Sequence, residues 1–229
     1  MHRAVLAEGF GSMLLAGAVI GSGMMAQRLA GDGAVALLAN TLATVAALAV
    51  LIAVLAPASG AHFNPAVSLV SLLRGRLSPA ATAAYAAAQL LGCCLGAMLA
   101  HAMFELPLIQ TATHARAGLG QLLSEMVATA GLITVASSCA TSAQASWRVP
   151  AWIGAAYWFT ASTSFANPAI TVARALSDTF AGIRPVDVPA FVVAQLLGAL
   201  VGLALTRWLF GSDALRSRSE TRDGVTNER

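Results

Sequence analysis

Charged residues are scarce in this chain, and lysine is absent altogether. Only 10% of the 229 residues are charged, and the 13 basic ones are all arginine. Soluble domains carry about 25% charged residues, so the composition excludes an ordinary soluble protein. Hydrophobic residues make up 58% of the sequence and the mean hydropathy is +0.75, which is typical of an integral membrane protein. The arginines form no basic, aromatic-bearing surface, so we expect no nucleic-acid partner.

Cysteine and histidine are also few. The three cysteines, Cys93, Cys94 and Cys139, lie in apolar segments and have neither CxxC spacing nor a disulfide framework. The four histidines lack the spacing of metal ligands, and neither a Ser/His/Asp set nor a phosphate-binding loop is visible. We therefore predict that the protein binds no metal or cofactor and is not an enzyme.

Long apolar segments predict six membrane-spanning helices. A spanning helix needs about 20 apolar residues, and the segments lie at about 4–26, 34–56, 80–103, 118–140, 150–163 and 188–210. The first segment is long enough to span and lacks a clear cleavage site, so it is interpreted as a membrane helix rather than a signal peptide. The polar stretch 211–229 is expected to be a disordered cytoplasmic tail.

Two further segments are too short to cross a membrane. They cover about 64–73 and 167–177. A helix of about ten residues is about 15 Å long, which is half of a hydrocarbon core about 30 Å thick. The two pieces are therefore predicted to enter from opposite sides and to meet at the midplane.

The two halves of the chain carry the same signals in the same order. Each half has a glutamate in its first helix (Glu8 and Glu125), then Asn-Pro-Ala, then Gln-Leu-Leu-Gly with a further Gly four residues on. Three spans per half is an odd number, so repeat two (about 118–210) must run inverted relative to repeat one (about 4–103). Such an inverted repeat places the working site near the midplane. The repeated glycines are interpreted as helix-packing positions.

The tripeptides Asn64-Pro65-Ala66 and Asn167-Pro168-Ala169 carry the strongest chemical signal. Asn is a good N-cap and Pro suits the first helical position. Non-helical backbone inside a bilayer is tolerated only where it is buried or lines water. A capping Asn can turn its NH₂ outward as a donor, so two such donors would hold one passing oxygen. The helix N-termini add positive potential that repels cations and leaves neutral hydroxyl compounds unaffected.

The stretch 59–68, Ser-Gly-Ala-His-Phe-Asn-Pro-Ala-Val-Ser, resembles the first pore motif of the aquaporin (major intrinsic protein) family, and 166–169 resembles the second. The resemblance implies an all-α channel domain over 1–210, with six transmembrane helices and two re-entrant half-helices. It also implies a homotetramer, with one pore per subunit, in a bacterial inner membrane. Glu8 and Glu125 match the glutamates that brace the pore loops of the family. His62 is a candidate pore-loop residue, and the alternative is a loop residue with no role in transport.

The selectivity filter departs from the family pattern. Most aquaporins place an arginine immediately after the second Asn-Pro-Ala, where this chain has Ile170. Ungapped spacing from the two asparagines assigns the other three filter positions to Thr44, Ala155 and Ser164. Such a filter is small, partly apolar and uncharged. It favours solutes larger than water, such as glycerol-like polyols or neutral metalloid hydroxides.

Arg174 is the nearest arginine to the second pore motif, two helical turns after Asn167. We expect it to line the outer vestibule and to pair with Asp178 at i+4. The alternative is a surface salt bridge without a role in transport. The stretch 163–183 resembles a bacterial branch of the family that lacks the filter arginine and is associated with arsenic resistance. This likeness implies passage of arsenous acid.

The favoured function is a passive channel for water, polyols and neutral metalloid hydroxides. A strict water channel is the alternative within that class. An ion-coupled secondary transporter would need titratable groups at mid-membrane, where only Glu8 and Glu125 qualify. A non-conducting structural membrane protein is the remaining hypothesis.

Overall fold

The computed structural model describes residues 1–211, so the predicted disorder of the tail falls on residues 212–229, outside the described part. Within residues 1–211 the chain is helical and has no strand. The helices are α1 (His2–Leu29), α2 (Gly33–Ser59), α3 (Pro65–Leu73), α4 (Pro79–Met103), α5 (Leu119–Ser138), α6 (Ser142–Phe159), α7 (Pro168–Arg174) and α8 (Val188–Phe210), with a short 3₁₀ turn at Pro185–Asp187.

Six of these helices are long and two are short. Five of the long ones, α1, α2, α4, α5 and α8, are long and apolar enough to cross a membrane. The sixth, α6, has 18 residues, which makes it about 27 Å long, and carries Gln144 and Arg148 in its first two turns. Helices α3 and α7 have nine and seven residues. This architecture confirms the predicted all-α membrane fold with two half-helices.

The boundaries of α6 and α7 differ from the prediction. The sequence predicts a fifth span over 150–163, whereas α6 begins at Ser142, and Pro150 lies inside it. The helix begins early because the Thr141 hydroxyl accepts a hydrogen bond from the backbone N–H of Gln144 at 3.2 Å, which caps it. Residues 160–163 belong to the loop before Asn167, and α7 ends at Arg174 rather than at residue 177.

The two halves of the chain interlock. Helix α1 packs on α4 in the first half and α5 packs on α8 in the second, while α2 packs against α6 between the halves. The half-helix α3 also contacts α8, and α7 contacts α4. Each half-helix is therefore inserted against the opposite half, as an inverted repeat requires.

The repeated glycines let paired helices touch. A Cβ added to Gly92 on α4 would overlap the backbone oxygen of Gly9 on α1. In the second half, a Cβ on Gly198 of α8 would overlap the backbone oxygen of Met126 on α5. The glycines therefore serve helix packing, because any side chain would push these backbones apart.

The substitution Gly92→Ala is expected to destabilise the fold by about 1–3 kcal/mol, the usual cost of overpacking. The thermal unfolding midpoint in detergent measures the change. Gly120→Ala is the matched control, since a Cβ at Gly120 meets nothing within 4 Å and alanine favours a helix. Equal midpoints for Gly92→Ala and the unsubstituted protein would contradict the close approach of α1 and α4.

Candidate pore and selectivity filter

Asn64 and Asn167 each begin a half-helix. The Asn64 Oδ1 accepts a hydrogen bond from the backbone N–H of Ala66 at 2.9 Å. The Asn167 Oδ1 accepts from the N–H groups of Ala169 at 3.0 Å and Ile170 at 3.3 Å. The proline after each asparagine suits the first helical position, where its missing N–H leaves no donor unpaired. Both side-chain oxygens are thus committed to capping.

The side-chain nitrogens of the same asparagines join the two halves of the protein. The Asn64 Nδ2 donates to the carbonyl of Ala166 at 2.7 Å, and the Asn167 Nδ2 donates to the carbonyl of Phe63 at 2.8 Å. Each amide carries two hydrogens, so one remains on each side chain beyond these bonds. The sequence motifs did not predict this reciprocal pair.

The loops that precede the asparagines share an unusual backbone. Positive φ angles occur one, three and four residues before each asparagine, at Gly60, Ala61, Phe63, Thr163, Ser164 and Ala166. Non-glycine residues in this region cost of order 1–3 kcal/mol each and persist only where surrounding contacts hold them. The contacts that hold these loops come from two buried glutamates.

Glu8 contacts the first loop through both carboxylate oxygens. Its Oε1 accepts from the Ser59 hydroxyl at 2.6 Å and the His62 N–H at 2.9 Å. Its Oε2 accepts from the Phe63 N–H at 2.7 Å and from Gln89 Nε2 at 2.8 Å. The carboxylate is fully buried, so these donors replace the water that it would otherwise bind.

Glu125 makes the matching contacts in the second half. Its Oε1 accepts from the Phe165 N–H at 2.9 Å, and its Oε2 accepts from the Ala166 N–H at 2.8 Å and from Gln195 Nε2 at 2.6 Å. Each glutamate therefore holds two successive backbone N–H groups of the loop that precedes an asparagine.

Two glutamines complete these networks. Gln89 Nε2 also donates to the Ser68 hydroxyl at 3.0 Å, and Gln195 Nε2 donates to the Thr171 hydroxyl at 2.8 Å. Each glutamine thus links a glutamate to a half-helix. This role was not predicted from the sequence, although the repeated Gln-Leu-Leu-Gly was the available signal.

A cavity of about 510 Å³ passes both asparagines. Arg74 and Ser137 line one end, which we call the inner mouth, and Arg174 lines the other, which we call the outer vestibule. His62 also lines the cavity, with its Nδ1 3.1 Å from the Ser68 hydroxyl. No Asp or Glu within residues 1–211 lines this cavity.

Three of the four predicted filter residues, Thr44, Ser164 and Ile170, line the cavity, and the fourth does not. Ala155 is exposed on the outside of α6. Tyr157 lines the cavity instead, with its hydroxyl 3.5 Å from the Thr44 hydroxyl. Residues two apart in a helix point about 200° apart. The ungapped spacing therefore selected the wrong face of α6, and the assignment of Ala155 was wrong.

Arg174 is buried beside the cavity. It is 4% exposed, its Nε donates to the carbonyl of Ala181, and its guanidinium carbon lies 3.3 Å from the centre of the Phe165 ring. The predicted ion pair with Asp178 was wrong, because the chain leaves the helix after Arg174. Asp178 instead accepts from the N–H and hydroxyl of Thr113, both at 2.8 Å, and these bonds lower its pKa.

A second buried arginine, missed by the sequence analysis, packs against the same ring. The Arg116 guanidinium carbon lies 4.9 Å from the Phe165 ring centre. Its Nε donates to the carbonyl of Gly182 at 2.8 Å and its Nη1 to the carbonyl of Ser162 at 3.2 Å. Two cations therefore flank one aromatic ring behind the outer vestibule.

Comparisons with known proteins agree with this geometry. The model of the Major intrinsic protein family matches residues 1–161. Aquaglyceroporin AqpS of Rhizobium meliloti (strain 1021) is 54% identical over 211 residues, which cover 91% of each chain. Aquaporin TIP4-4 of Zea mays is 42% identical over 100 residues, covering 42% of this chain and 40% of the relative. The fold and the paired pore motifs define a membrane channel.

The chain belongs to the major intrinsic protein family. Among solved structures, the aquaglyceroporin from Plasmodium falciparum has a TM-score of 0.68 at 21% identity, covering 94% of this chain and 99% of that chain, and this likeness concerns the fold. The protein is thus a passive membrane channel for water and small neutral solutes. The predictions of a channel and of a non-enzymatic protein are confirmed.

Proposed function

We propose that this channel passes uncharged solutes larger than water through a constriction formed by Thr44, Tyr157, Ser164 and Ile170. The observation that carries the proposal is the position of Ile170, which lines the cavity where most aquaporins place an arginine. None of the four side chains is charged, and Ile170 adds apolar wall. The carbon skeleton of a polyol can contact such a wall while its hydroxyls find the remaining polar groups.

The residues around the constriction have separate roles in this proposal. Asn64 and Asn167 each offer their remaining amide hydrogen to a passing oxygen. Glu8 and Glu125 hold the strained loops in place, so the amides need no rearrangement when a solute arrives. His62 lines the lumen beside Ser68 of α3. A passive route is favoured over ion coupling, because both glutamates accept hydrogen bonds from loop N–H groups and from a glutamine, and neither lines the cavity.

Two solute classes fit this pore. The relative from Rhizobium meliloti is named an aquaglyceroporin, which supports glycerol-like polyols. Arsenous acid is a neutral hydroxide near neutral pH, so the positive helix N-termini would not exclude it. The resemblance of the second pore loop to an arsenic-associated branch supports it as a second solute.

Ile170→Arg is expected to lower glycerol and arsenous acid permeability by about tenfold or more, because a long, charged side chain narrows and polarises the constriction. Stopped-flow measurements on proteoliposomes compare water, glycerol and arsenous acid. Ile170→Leu conserves side-chain volume and serves as the control. If glycerol and arsenous acid pass through the arginine variant as well as through the unsubstituted channel, Ile170 does not form part of the constriction. A wild-type channel that passes water alone would instead be a strict water channel.

We propose that Arg174 shapes the outer vestibule and does not merely form a surface ion pair. It lines the cavity beyond Ile170, and the salt bridge within residues 1–211 joins Arg184 to Asp187 and does not involve Arg174. Arg174→Ala belongs in the same flux assay. Unchanged flux and selectivity in that variant would exclude a vestibule role.

We further propose that the channel is a homotetramer, with one pore per subunit, in the inner membrane of a bacterium, and that the inner mouth faces the cytoplasm. The resemblance to aquaporins and the bacterial origin of the 54% identical relative support this arrangement. Native mass spectrometry from nanodiscs tests the assembly, and a monomer mass would overturn it.

A further inference from the structure

Positive charge gathers at the inner mouth, where α3 ends. Arg74 follows the last residue of α3 and lines the cavity. Its Nη1 donates to the hydroxyl of Ser137 on α5 at 3.0 Å, and Ser137 lines the same cavity. This bond holds the guanidinium beside the lumen rather than out in solvent.

The charge of Arg74 is not neutralised by any carboxylate in the described part of the chain, where the salt bridge joins Arg184 to Asp187. The Nη2 atom of Arg74 is buried and has no hydrogen-bond partner there. Burial, followed by the charges of Arg76 and Arg207, lowers the pKa of Arg74 to about 10. A group with that pKa stays protonated near neutral pH, so the inner mouth keeps its positive charge.

Arg74 and Arg174 lie toward opposite ends of the same lumen. Three turns of α3 separate Arg74 from Asn64, which is about 15 Å. The equivalent position in the second repeat is Ser177, which carries no charge. Each half-helix nevertheless ends at an arginine, since Arg74 follows α3 and Arg174 is the last residue of α7. Between the two arginines lie the asparagines and the uncharged constriction.

We infer that Arg74 is a specificity-determining residue that excludes cations from the inner mouth of the pore. The inference rests on the proposed function, in which Ile170 leaves the filter without the positive charge of most aquaporins. An approaching cation must pass the partly buried guanidinium at the mouth of the cavity, where repulsion is screened less than in open solvent. Apolar walls concentrate the field along the lumen. A neutral solute has no net charge and is not repelled.

Arg74→Gln removes the charge and keeps a polar side chain. Proteoliposomes that contain a pH-sensitive dye report proton leak under a potassium diffusion potential, and the same vesicles report glycerol permeability. We expect proton leak to rise about fivefold or more in Arg74→Gln and glycerol permeability to stay within about twofold, since a neutral solute does not meet the barrier. Arg74→Lys keeps the charge and should leak no more than the unsubstituted channel.

A second variant neutralises the arginine without removing it. Ser71 lines the cavity one turn before Arg74, so the carboxylate of Ser71→Glu reaches the guanidinium at i+3. We expect Ser71→Glu to leak like Arg74→Gln, and the equally large Ser71→Gln to stay at background. If Arg74→Gln does not fold, Ser71→Glu and Ser71→Gln together still test whether the charge of Arg74 limits proton leak.

Three outcomes would overturn the inference. In the first, glycerol passes but no neutralised variant leaks protons. In the second, Arg74→Lys leaks as much as Arg74→Gln, so that shape rather than charge matters. In the third, inorganic phosphate blocks glycerol flux in the unsubstituted channel while Arg74→Gln shows no leak, so that the arginine is an anion-binding site. Loss of glycerol flux in the unsubstituted protein would instead contradict the proposed function.

Discussion

Glu125→Ala is expected to reduce solute flux to that of empty vesicles. The change would leave the N–H groups of Phe165 and Ala166 and the Nε2 of Gln195 without their buried acceptor. Each buried donor left unpaired costs about 1–3 kcal/mol, so the unfolding free energy should fall by at least about 3 kcal/mol. The positive-φ loop before Asn167 would also lose the contacts that hold it, and the constriction would lose its shape.

Flux in proteoliposomes and unfolding in detergent measure the two effects of Glu125→Ala. Glu105→Ala is the control, because Glu105 is exposed on a loop and should behave like the unsubstituted protein. Glu125→Gln keeps one acceptor oxygen, so its flux and its unfolding free energy should lie between those of Glu125→Ala and Glu105→Ala. A folded, conducting Glu125→Ala channel would show that the loop holds its conformation without the carboxylate.

Asn167→Asp is expected to make the channel leak cations. The new carboxylate keeps the capping bonds to Ala169 and Ile170, and those N–H donors favour its ionised form. It loses the donor to the carbonyl of Phe63 and adds negative charge at the centre of the lumen. Two unit charges at about 4 Å interact by about 4 kcal/mol at an effective dielectric constant of about 20. A rise of about tenfold in proton leak requires the barrier to proton passage to fall by only roughly a third of that energy.

Asn40→Asp is the matched control for a buried Asn-to-Asp change. Asn40 is 4% exposed and its Nδ2 donates to the carbonyl of Val19 at 2.8 Å and the Ser22 hydroxyl at 2.9 Å. It does not line the cavity. Asn40→Asp should therefore destabilise the protein without a proton leak. A leak of equal size in both variants would mean that disrupted packing, rather than a charge in the lumen, admits protons.

Much of the fold could be predicted because lipid imposes a strong pattern on sequence. Long apolar runs gave the spanning helices, and the span predicted over 188–210 matches α8 in both ends. The paired Asn-Pro-Ala tripeptides located the half-helices, since capping is a local property. The start of α6 was harder to predict. Pro150 resembles the first residue of a helix, and the residues before it, where α6 actually begins, are polar.

The parts of the site that depend on tertiary structure could not be predicted. Tyr157 was missed because ungapped spacing from Asn167 does not report which face of α6 turns toward the lumen. The Arg174–Asp178 pair was wrong because i+4 spacing matters only while the helix continues. Gln89 and Gln195 repeat in the sequence, but their contact with the glutamates appears only when α4 packs on α1 and α8 packs on α5.

The reciprocal amide bonds join parts of the chain that are synthesised far apart in time. The bond from Asn64 to Ala166 joins residues 102 apart in the chain, and the bond from Asn167 to Phe63 joins residues 104 apart. Contacts so distant in sequence form late, after local helices exist. A ribosome-bound chain that ends after the first repeat therefore has a membrane anchor but no conduit. We expect the conduit to appear only once the second repeat is inserted.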